Sequence, residues 1–247
     1  MSNLVKETFE QKSARAKKIA EALLKMYPRR KTVLTFGNPW ECLVAVQLSA
    51  QCTDKRVNIV TPALFAKYPR VEDYAIAGST AEGVREFEKM IHSTGFYHNK
   101  AKNILGAAVM VVEKFKGKVP KTMKELLTLP GVARKSANVI LFNAFGLVEG
   151  VAVDTHVKRI TNLLGLISSE AAKGGAKSGG AGAVRVSGGA GAGDPVKIEK
   201  ELMKLLPRKH WALFSLLITE HGREICIARR PKCKECKLNK MCPGAII

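Results

Sequence analysis

The sequence predicts an all-α fold, and three observations support that prediction. Apolar residues recur at helical spacing along most of the chain, as in residues 13–26 and 196–206. Residues that cap helices stand immediately before several of these apolar runs. Almost no segment alternates apolar and polar residues with the period of a β-strand.

The helix boundaries follow from local signals taken in chain order. Residues 13–26 form the first predicted helix, and Pro28 ends it. Further helix starts are predicted where a capping residue precedes a glutamate by three positions: Asn38 with Glu41, Ser79 with Glu82, and Thr122 with Glu125. Pro39 strengthens the first of these because proline is favoured in a first turn. Glycines at predicted helix C-termini are Gly117, Gly146 and Gly222.

Residues 168–194 interrupt the helical pattern. Of these 27 residues, nine are Gly, seven are Ala and four are Ser, so few side chains could anchor a core. This composition predicts a flexible Gly/Ala/Ser-rich insertion. Asp194 and Pro195 then supply an N-cap and a first-turn proline, which predict a helix over 196–206.

Composition limits the class of protein and of partner. The chain has 247 residues, of which 46% are hydrophobic and 25% charged, as in globular proteins. Its net charge of +20 favours a polyanionic partner, and nucleic acid above others. No apolar run approaches the roughly 20 residues of a membrane-spanning helix, and the first ten residues lack a secretory apolar segment. We therefore expect a cytoplasmic protein with no membrane partner.

Four cysteines lie close together near the C-terminus, at Cys226, Cys233, Cys236 and Cys242. In a reducing compartment, such a cluster indicates a shared metal centre. The C-x6-C-x2-C-x5-C spacing suits a zinc site and an iron-sulfur cluster equally well. The remaining pair, Cys42 and Cys52, lies in an apolar helical context and is interpreted as small buried core residues.

A helix-hairpin-helix is predicted in the middle of the chain. Residues 122–128 form a short helix, residues 129–133 a tight turn around Gly131, and residues 134–145 a second helix that ends at Gly146. Backbone N–H groups at such a turn, with the following helix dipole, can bind a phosphate. An ordinary helix-helix turn is the alternative.

Two residues near this hairpin have both a plain and a chemical interpretation. Lys135 lies in the first turn of the second hairpin helix. The plain interpretation is that it contacts phosphate, as Arg134 would, and the chemical one is that it acts as a nucleophile. The positive end of a helix dipole disfavours an ammonium and so favours the neutral amine that a nucleophile requires. Asp154 is either an N-cap or a carboxylate that stabilises positive charge at a sugar C1′. His156 is interpreted as structural.

Several motifs together resemble the endonuclease III branch of the helix-hairpin-helix DNA glycosylases. They are LSAQCTD at 48–54, GFYHNKA at 95–101, LPGVARKSAN at 129–138, VDTH at 153–156, and the four-cysteine spacing. The resemblance covers nearly the whole chain except 168–194. It implies a six-helix barrel domain over 32–147, with the hairpin at 122–146. It also implies an iron-sulfur domain built from 1–31 and 148–247, with the active cleft between the two domains.

The resemblance also implies roles for individual residues. It favours a 4Fe-4S cluster over zinc at the four cysteines. Lys135 is the implied nucleophile and Asp154 the implied catalytic carboxylate. Gln51 would fill the gap left by an extruded nucleotide, and Phe96 would wedge into the base stack. The hairpin contacts to DNA fall to Gly131, Ala133 and Arg134, and the cluster would fix a basic loop that carries Arg229, Arg230 and Lys232 against phosphates.

The implied function is a bifunctional DNA glycosylase and AP lyase of base excision repair. We expect it to remove oxidised pyrimidines from duplex DNA and to nick the abasic site by β-elimination through a lysine Schiff base. Its expected partner is double-stranded DNA with a damaged base or abasic site, bound by a monomer. The expected location is the cytoplasm, at the nucleoid if the protein is prokaryotic. The alternatives are a monofunctional adenine or mismatch-thymine glycosylase of the same fold and a catalytically silent DNA-binding module.

One departure from the family pattern concerns the hairpin turn. Ala133 stands where many relatives carry a second glycine. If that position requires positive φ, the turn is strained.

Overall fold

The computed structural model describes residues 7–28, 31–173 and 193–246, and every regular element within them is helical. In chain order the α-helices are α1 (Phe9–Met26), α2 (Pro39–Leu48), α3 (Asp54–Lys67), α4 (Val71–Gly78), α5 (Ala81–Ile91), α6 (Tyr97–Phe115), α7 (Met123–Leu126), α8 (Arg134–Phe145), α9 (Thr155–Leu163), α10 (Ser169–Lys173), α11 (Pro195–Leu205) and α12 (Trp211–Glu224). Short 3-10 turns lie at His92–Thr94, Arg208–His210, Cys233–Glu235 and Asn239–Met241. The predicted all-α class is confirmed.

The chain forms two compact units. One, the hairpin unit, is Lys31–Glu149, and the other, the cysteine unit, combines Met1–Arg30 with Gly150–Ile247. These bounds lie within two residues of the domain limits expected from the resemblance.

The hairpin unit packs around α2. Every residue from 42 to 48 of this helix is buried, and the helix contacts α3, α6 and α8. A helix that is apolar on all sides belongs in the middle of a bundle, because only there are all its faces covered. Six helices of this unit have eight or more residues, and α7 is a single short turn before the hairpin.

Local capping positions these helices. Asn38 accepts a hydrogen bond from the Glu41 amide at 2.9 Å, and Pro39 occupies the first turn of α2, as predicted. Thr122 caps α7 in the predicted way. The prediction for Ser79 is wrong by one residue, because Thr80 caps α5 and Ser79 ends α4.

The cysteine unit is held by a second apolar core. Helix α12 packs against α9 and α1, while α11 packs against α1 and α10. Buried side chains that these helices contribute include Ile19, Leu23, Ile160, Leu202, Phe214 and Ile218. Asp194 caps α11 through the amides of Val196 and Lys197, which confirms the predicted restart of the helix.

The predicted insertion over 168–194 differs from the structure at its first residues, which form α10. The Ser168 hydroxyl accepts a hydrogen bond from the Ala171 amide at 3.1 Å, and Ala171 is buried. A cap, a buried methyl group and packing against α11 accompany this extension of the helical region to Lys173. Residues 174–192 of the predicted insertion lie outside the described residues.

Two further predictions are wrong. Gly222 does not end a helix: it lies inside α12 and is buried. Cys52 is half-buried and not a core residue, because it lies in the turn after α2, whereas Cys42 is fully buried. Across the described ranges, no helix combines the length and the apolar character that crossing a bilayer requires.

Candidate active site and cysteine centre

The hairpin turn requires glycine at Gly131. Its φ of +75° lies in the left-handed region, and the Val132 amide closes the turn by donating to the Leu129 carbonyl at 3.1 Å. A Cβ at residue 131 would lie 2.8 Å from Gln47 Oε1 and 2.8 Å from Asn103 Cβ. Both the backbone conformation and the close approach of α2 and α6 therefore exclude a side chain here.

The turn tolerates Ala133 without strain. This residue has φ −93° and ψ 168°, an extended conformation open to any residue, so the second glycine of relatives is not needed for a positive φ. Ala133 is the N-cap of α8, and no side chain caps the helix there. The positive end of the α8 dipole thus lacks a capping side chain, an arrangement that suits an incoming anion.

Lys135 is the second residue of α8, and its side chain is exposed. Arg134, immediately before it, is half-buried. The hairpin therefore presents an accessible primary amine beside the helix end.

Gln47 on α2 is hydrogen-bonded to the hairpin turn. It is a buried polar residue within the apolar α2, and its Nε2 donates to the Pro130 carbonyl at 2.9 Å. Sequence analysis missed it. The available signal was a single glutamine within an otherwise apolar helical run, which indicates a buried hydrogen-bond donor.

Asp154 is held through both carboxylate oxygens. It is half-buried at the start of α9, where Oδ1 accepts from the Val157 amide at 2.8 Å, as the N-cap prediction requires. Oδ2 accepts from the Thr219 hydroxyl on α12 at 3.1 Å, and the same hydroxyl lies 2.9 Å from the Ser215 carbonyl. Because a hydroxyl has one proton, Thr219 can donate to only one of these acceptors at a time.

His156 packs against α12. A Cβ at Gly222 would lie 2.4 Å from His156 Nδ1, so glycine at this position lets the ring approach the helix backbone. Burial lowers the pKa of His156, which favours the neutral ring. These contacts fit the structural interpretation of this residue.

The residues expected to insert into DNA both have left-handed backbone conformations. Gln51 has φ 52° and is exposed in the turn after α2, and Phe96 has φ 49° and is 63% exposed immediately before α6. Left-handed glutamine and phenylalanine are uncommon, because their Cβ atoms crowd the backbone. The two projecting side chains are therefore presented by unusual turns within the hairpin unit.

The four clustered cysteines line one cavity of about 260 Å³ in the cysteine unit. All four are free thiols and are half-buried. Among the described residues, no three His, Cys, Asp or Glu side chains are grouped so as to hold a single metal ion. The cavity therefore brings the four predicted ligands together at one place in the cysteine unit.

Polar groups from neighbouring helices contact these cysteines. Arg159 donates to Cys226 Sγ at 3.5 Å and to the Cys226 carbonyl at 2.6 Å. His221 Nε2 lies 3.5 Å from Cys236 Sγ, and the Tyr27 hydroxyl lies 3.2 Å from His221 Nδ1. Burial raises the pKa of the Cys236 thiol, so a positively charged group is needed to hold it as a thiolate.

A basic loop lies beside the cavity. Arg229, Arg230 and Lys232 are exposed, and the Lys232 amide donates to the Ile225 carbonyl at 3.0 Å to close the loop. The loop backbone is thereby tied to the end of α12, while its cationic side chains face solvent.

Comparisons with known proteins decide the family. Residues 44–177 match the HhH-GPD superfamily of base excision DNA repair proteins. An endonuclease III from Synechocystis sp. is 48% identical over 246 residues, or 99% of both chains. Two solved structures, a non-covalent endonuclease III–DNA complex and a trapped endonuclease III–DNA covalent intermediate, each align with a TM-score of 0.76 at 36% identity. Each alignment covers 94% of this chain and 96% of the solved one.

The chain belongs to the endonuclease III family. It is accordingly a bifunctional DNA glycosylase and AP lyase of base excision repair. Endonuclease III membership also suggests an iron-sulfur cluster.

The predicted site residues divide between the two units. Lys135, the hairpin turn, Gln51 and Phe96 belong to the hairpin unit, whereas Asp154, the cysteines and the basic loop belong to the cysteine unit. Sequence analysis missed Thr219 and Arg159, which contact Asp154 and Cys226. Neither position carries a local signal, because each contact joins residues more than 60 positions apart.

Proposed function

We propose that Lys135 is the nucleophile of the glycosylase and lyase reactions and that Asp154 is the catalytic carboxylate. Lys135 Nζ attacks C1′ of an extruded nucleotide, and the C1′–N bond breaks as the base leaves with the bonding electrons. Loss of the amine proton and opening of the sugar ring give a Schiff base between Nζ and C1′. β-Elimination then removes a proton from C2′, forms the C2′=C3′ double bond and breaks the C3′–O bond, so that the 3′ phosphate leaves with the bonding electrons and the strand is cut 3′ to the lesion.

The observation that carries this proposal is the position of Lys135. It is an exposed amine in the first turn of a helix without a capping side chain, immediately after a glycine turn. Phosphates held by that turn would place a sugar beside the amine. The trapped covalent intermediate of an endonuclease III similar to this chain supports covalent chemistry of this kind.

Asp154 supports the departure of the base. Its carboxylate is fixed by the Val157 amide and the Thr219 hydroxyl, so it does not need to reorient when positive charge develops at C1′. Thr219 can also turn its proton to the Ser215 carbonyl when Asp154 carries a proton. The contact therefore suits both protonation states of the carboxyl group.

DNA recognition is assigned to residues from both units. Gly131, Ala133 and Arg134 contact a phosphate at the hairpin, while Arg229, Arg230 and Lys232 contact the backbone elsewhere. Gln51 fills the space of the extruded nucleotide and Phe96 wedges into the base stack, roles that suit their exposure. The substrate is an oxidised pyrimidine in duplex DNA, as the resemblance to the family implies.

The residues that would hold a 4Fe-4S cluster are Cys226, Cys233, Cys236 and Cys242. The four cysteines line one cavity, and four thiolates are the donor set that a 4Fe-4S cluster takes. Cys226, Cys233, Cys236 and Cys242 would hold the cluster, which would supply positive iron centres that stabilise the four thiolates and so cross-link residues 226–242. The Arg159 guanidinium donates to one of these sulfurs and would neutralise part of the thiolate charge.

The test uses a duplex with a single thymine glycol and a matched duplex with an abasic site. Wild type should cut both. Lys135→Ala should lose strand cleavage by roughly a thousandfold or more while still binding DNA, and Lys114→Ala, which removes an exposed lysine at the end of α6, should match wild type. Cleavage by Lys135→Ala at the wild-type rate would contradict the nucleophile assignment.

Assembly and location complete the proposal. The enzyme acts as a monomer in the cytoplasm, at the nucleoid, where its chromosomal substrate lies. Sedimentation should give a monomer in the absence of DNA and one protein per lesion in the presence of duplex DNA. A stable dimer in both conditions would contradict the first statement.

A further inference from the structure

Lys100 is a buried lysine on α6. It is 6% exposed, and its ammonium group donates to two backbone carbonyls. Within the described ranges, no acidic side chain hydrogen-bonds to it. Nζ donates to the Leu48 carbonyl at 2.8 Å and to the Thr94 carbonyl at 2.9 Å. Burial lowers the pKa of Lys100, because the charged ammonium loses contact with water at this position.

The two carbonyls belong to segments far apart in sequence. Leu48 is the last residue of α2, and Thr94 is the last residue of the 3-10 turn His92–Thr94. Carbonyls at helix ends lack partners within the helix, and a cation interacts favourably with them. An ammonium offers three donors from a single point, so one side chain can join both ends.

Each joined end leads directly into one of the two unusual turns. Gln51 follows Leu48 by three residues, and Phe96 follows Thr94 by two. Both have left-handed backbone conformations, as does Lys116, and these three are the non-glycine residues with positive φ in the described part of the chain. Lys100 therefore fixes the starting points of the two turns that present exposed Gln51 and Phe96.

We propose that Lys100 is a positioning residue for nucleotide extrusion, which clamps the Gln51 and Phe96 turns at a fixed separation before DNA binds. The inference rests on the proposed DNA-inserting roles of those two residues. Inserted side chains help extrusion only if their spacing already matches the base stack, because ordering them during binding would consume interaction energy. A neutral or shorter side chain would leave the two turns free to move relative to each other.

The test separates extrusion from chemistry. Lys100→Met keeps most of the apolar length and removes every donor, and Lys114→Met is the matched change at an exposed position of the same helix. Each variant is prepared as full-length, cluster-loaded protein. Extrusion is followed with 2-aminopurine beside a thymine glycol in a duplex, and lyase chemistry is followed on an abasic site in single-stranded DNA.

Lys100→Met should lower the 2-aminopurine signal and slow single-turnover excision in the duplex by about tenfold to a hundredfold. Cleavage of the single-stranded abasic site should stay near the wild-type rate, because no base stack has to be entered. In a Gln51→Ala/Phe96→Ala background, Lys100→Met should have little further effect. Wild-type extrusion by folded Lys100→Met, or an equal loss on both substrates, would overturn the proposal.

Three further results separate failure of the clamp from failure of folding or of the proposed function. If Lys100→Met does not fold, Lys100→Gln, which retains one amide donor, is measured in the same assays against the same criteria. If wild type excises nothing, the proposed function fails. If wild type excises but Gln51→Ala/Phe96→Ala is unaffected, the inserting roles fail and the clamp fails with them.

Discussion

The hairpin unit and the C-terminal segment of the cysteine unit, residues 225–246, are stabilised differently. In the hairpin unit, α2 is buried from residue 42 to residue 48 and the surrounding helices cover it. In the cysteine unit, residues 225–246 contain two 3-10 turns, and Leu238 is their one fully buried apolar side chain. The hairpin unit can be ordered by apolar packing, whereas the C-terminal segment depends on its cysteines and on polar contacts.

Polar contacts to that segment come from side chains on α1, α9 and α12, and on α12 His221 Nε2 lies 3.5 Å from Cys236 Sγ. The Arg15 guanidinium on α1 donates to the Met241 carbonyl at 3.0 Å and to the Leu164 carbonyl at 2.6 Å, and Glu7 holds it in place. Arg159 on α9 binds the Cys226 carbonyl. Such bonds orient a segment, and because their donors are charged guanidinium groups each adds about 1.5–3 kcal/mol of net stability. The comparison therefore predicts different responses to damage in each unit.

Removal of one cysteine ligand should have the largest effect, and it should be confined to one unit. Cys236→Ala should lose the visible absorption of an iron-sulfur protein and at least about 4 kcal/mol of unfolding free energy in the cysteine unit. Hydrogen exchange should rise across residues 225–246 and stay slow in α2 and α6. Cys52→Ala, the same change in the hairpin unit, should leave the spectrum intact. Equal loss of protection in both units would contradict the comparison.

A methyl group added at Gly222 should disturb the cysteine unit next most strongly. Because the new Cβ would lie 2.4 Å from His156 Nδ1, α9 and α12 must separate, at a cost of about 2–4 kcal/mol. Gly106→Ala is the control: it lies within α6, and its Cβ would meet Pro130 at an ordinary 3.5 Å. It should be neutral or stabilising by up to about 1 kcal/mol. Denaturant unfolding measures both, and equal stabilities would refute this interpretation of Gly222.

Gly131→Ala should lower both stability and DNA affinity. The left-handed φ adds about 1–2 kcal/mol of strain, and the new Cβ would also push against Gln47 Oε1 and Asn103 Cβ, each 2.8 Å away. Because the turn presents the phosphate site, affinity for a duplex with an abasic analogue should fall about tenfold. Fluorescence anisotropy gives the affinity and denaturant unfolding the stability. Unchanged affinity would show that the turn does not contact phosphate.

Thr219→Val should have the smallest effect, limited to rate. Removing the hydroxyl takes one hydrogen bond from Asp154 Oδ2 while the Val157 amide still holds Oδ1, so base excision should slow about fivefold to tenfold. Thr219→Ser should restore the rate. Lyase activity on a preformed abasic site should change less, since the base has already left. A slow Thr219→Ser would indicate a packing defect instead.

Local signals predicted most of the fold. Asn38, Thr122, Asp154 and Asp194 cap helices as expected, because a cap depends on residues within one turn. Gly222 has the same residue type as a C-cap but a tertiary reason to be glycine, namely the approach of His156. No local signal distinguishes these two cases.

The residues of the candidate site also divide into those with local sequence signals and those with tertiary contacts only. Lys135, Asp154 and the cysteines stand in short motifs, so spacing and residue type suggest their roles. Lys100, Gln47 and Thr219 act through contacts that span 52 to 83 positions of sequence, and the structure was needed to find them. Residue type and spacing therefore predict which residues perform chemistry, whereas the residues proposed to position them were found only in the structure.

The most direct test of the catalytic assignment is borohydride trapping on a duplex with one abasic site, followed by mapping of the linked peptide. Wild type should give a covalent protein–DNA band, with the reduced sugar attached to Lys135. Lys135→Ala should give no band although it binds the duplex. A band of wild-type intensity from Lys135→Ala, or a sugar attached to another residue of wild type, would contradict the assignment.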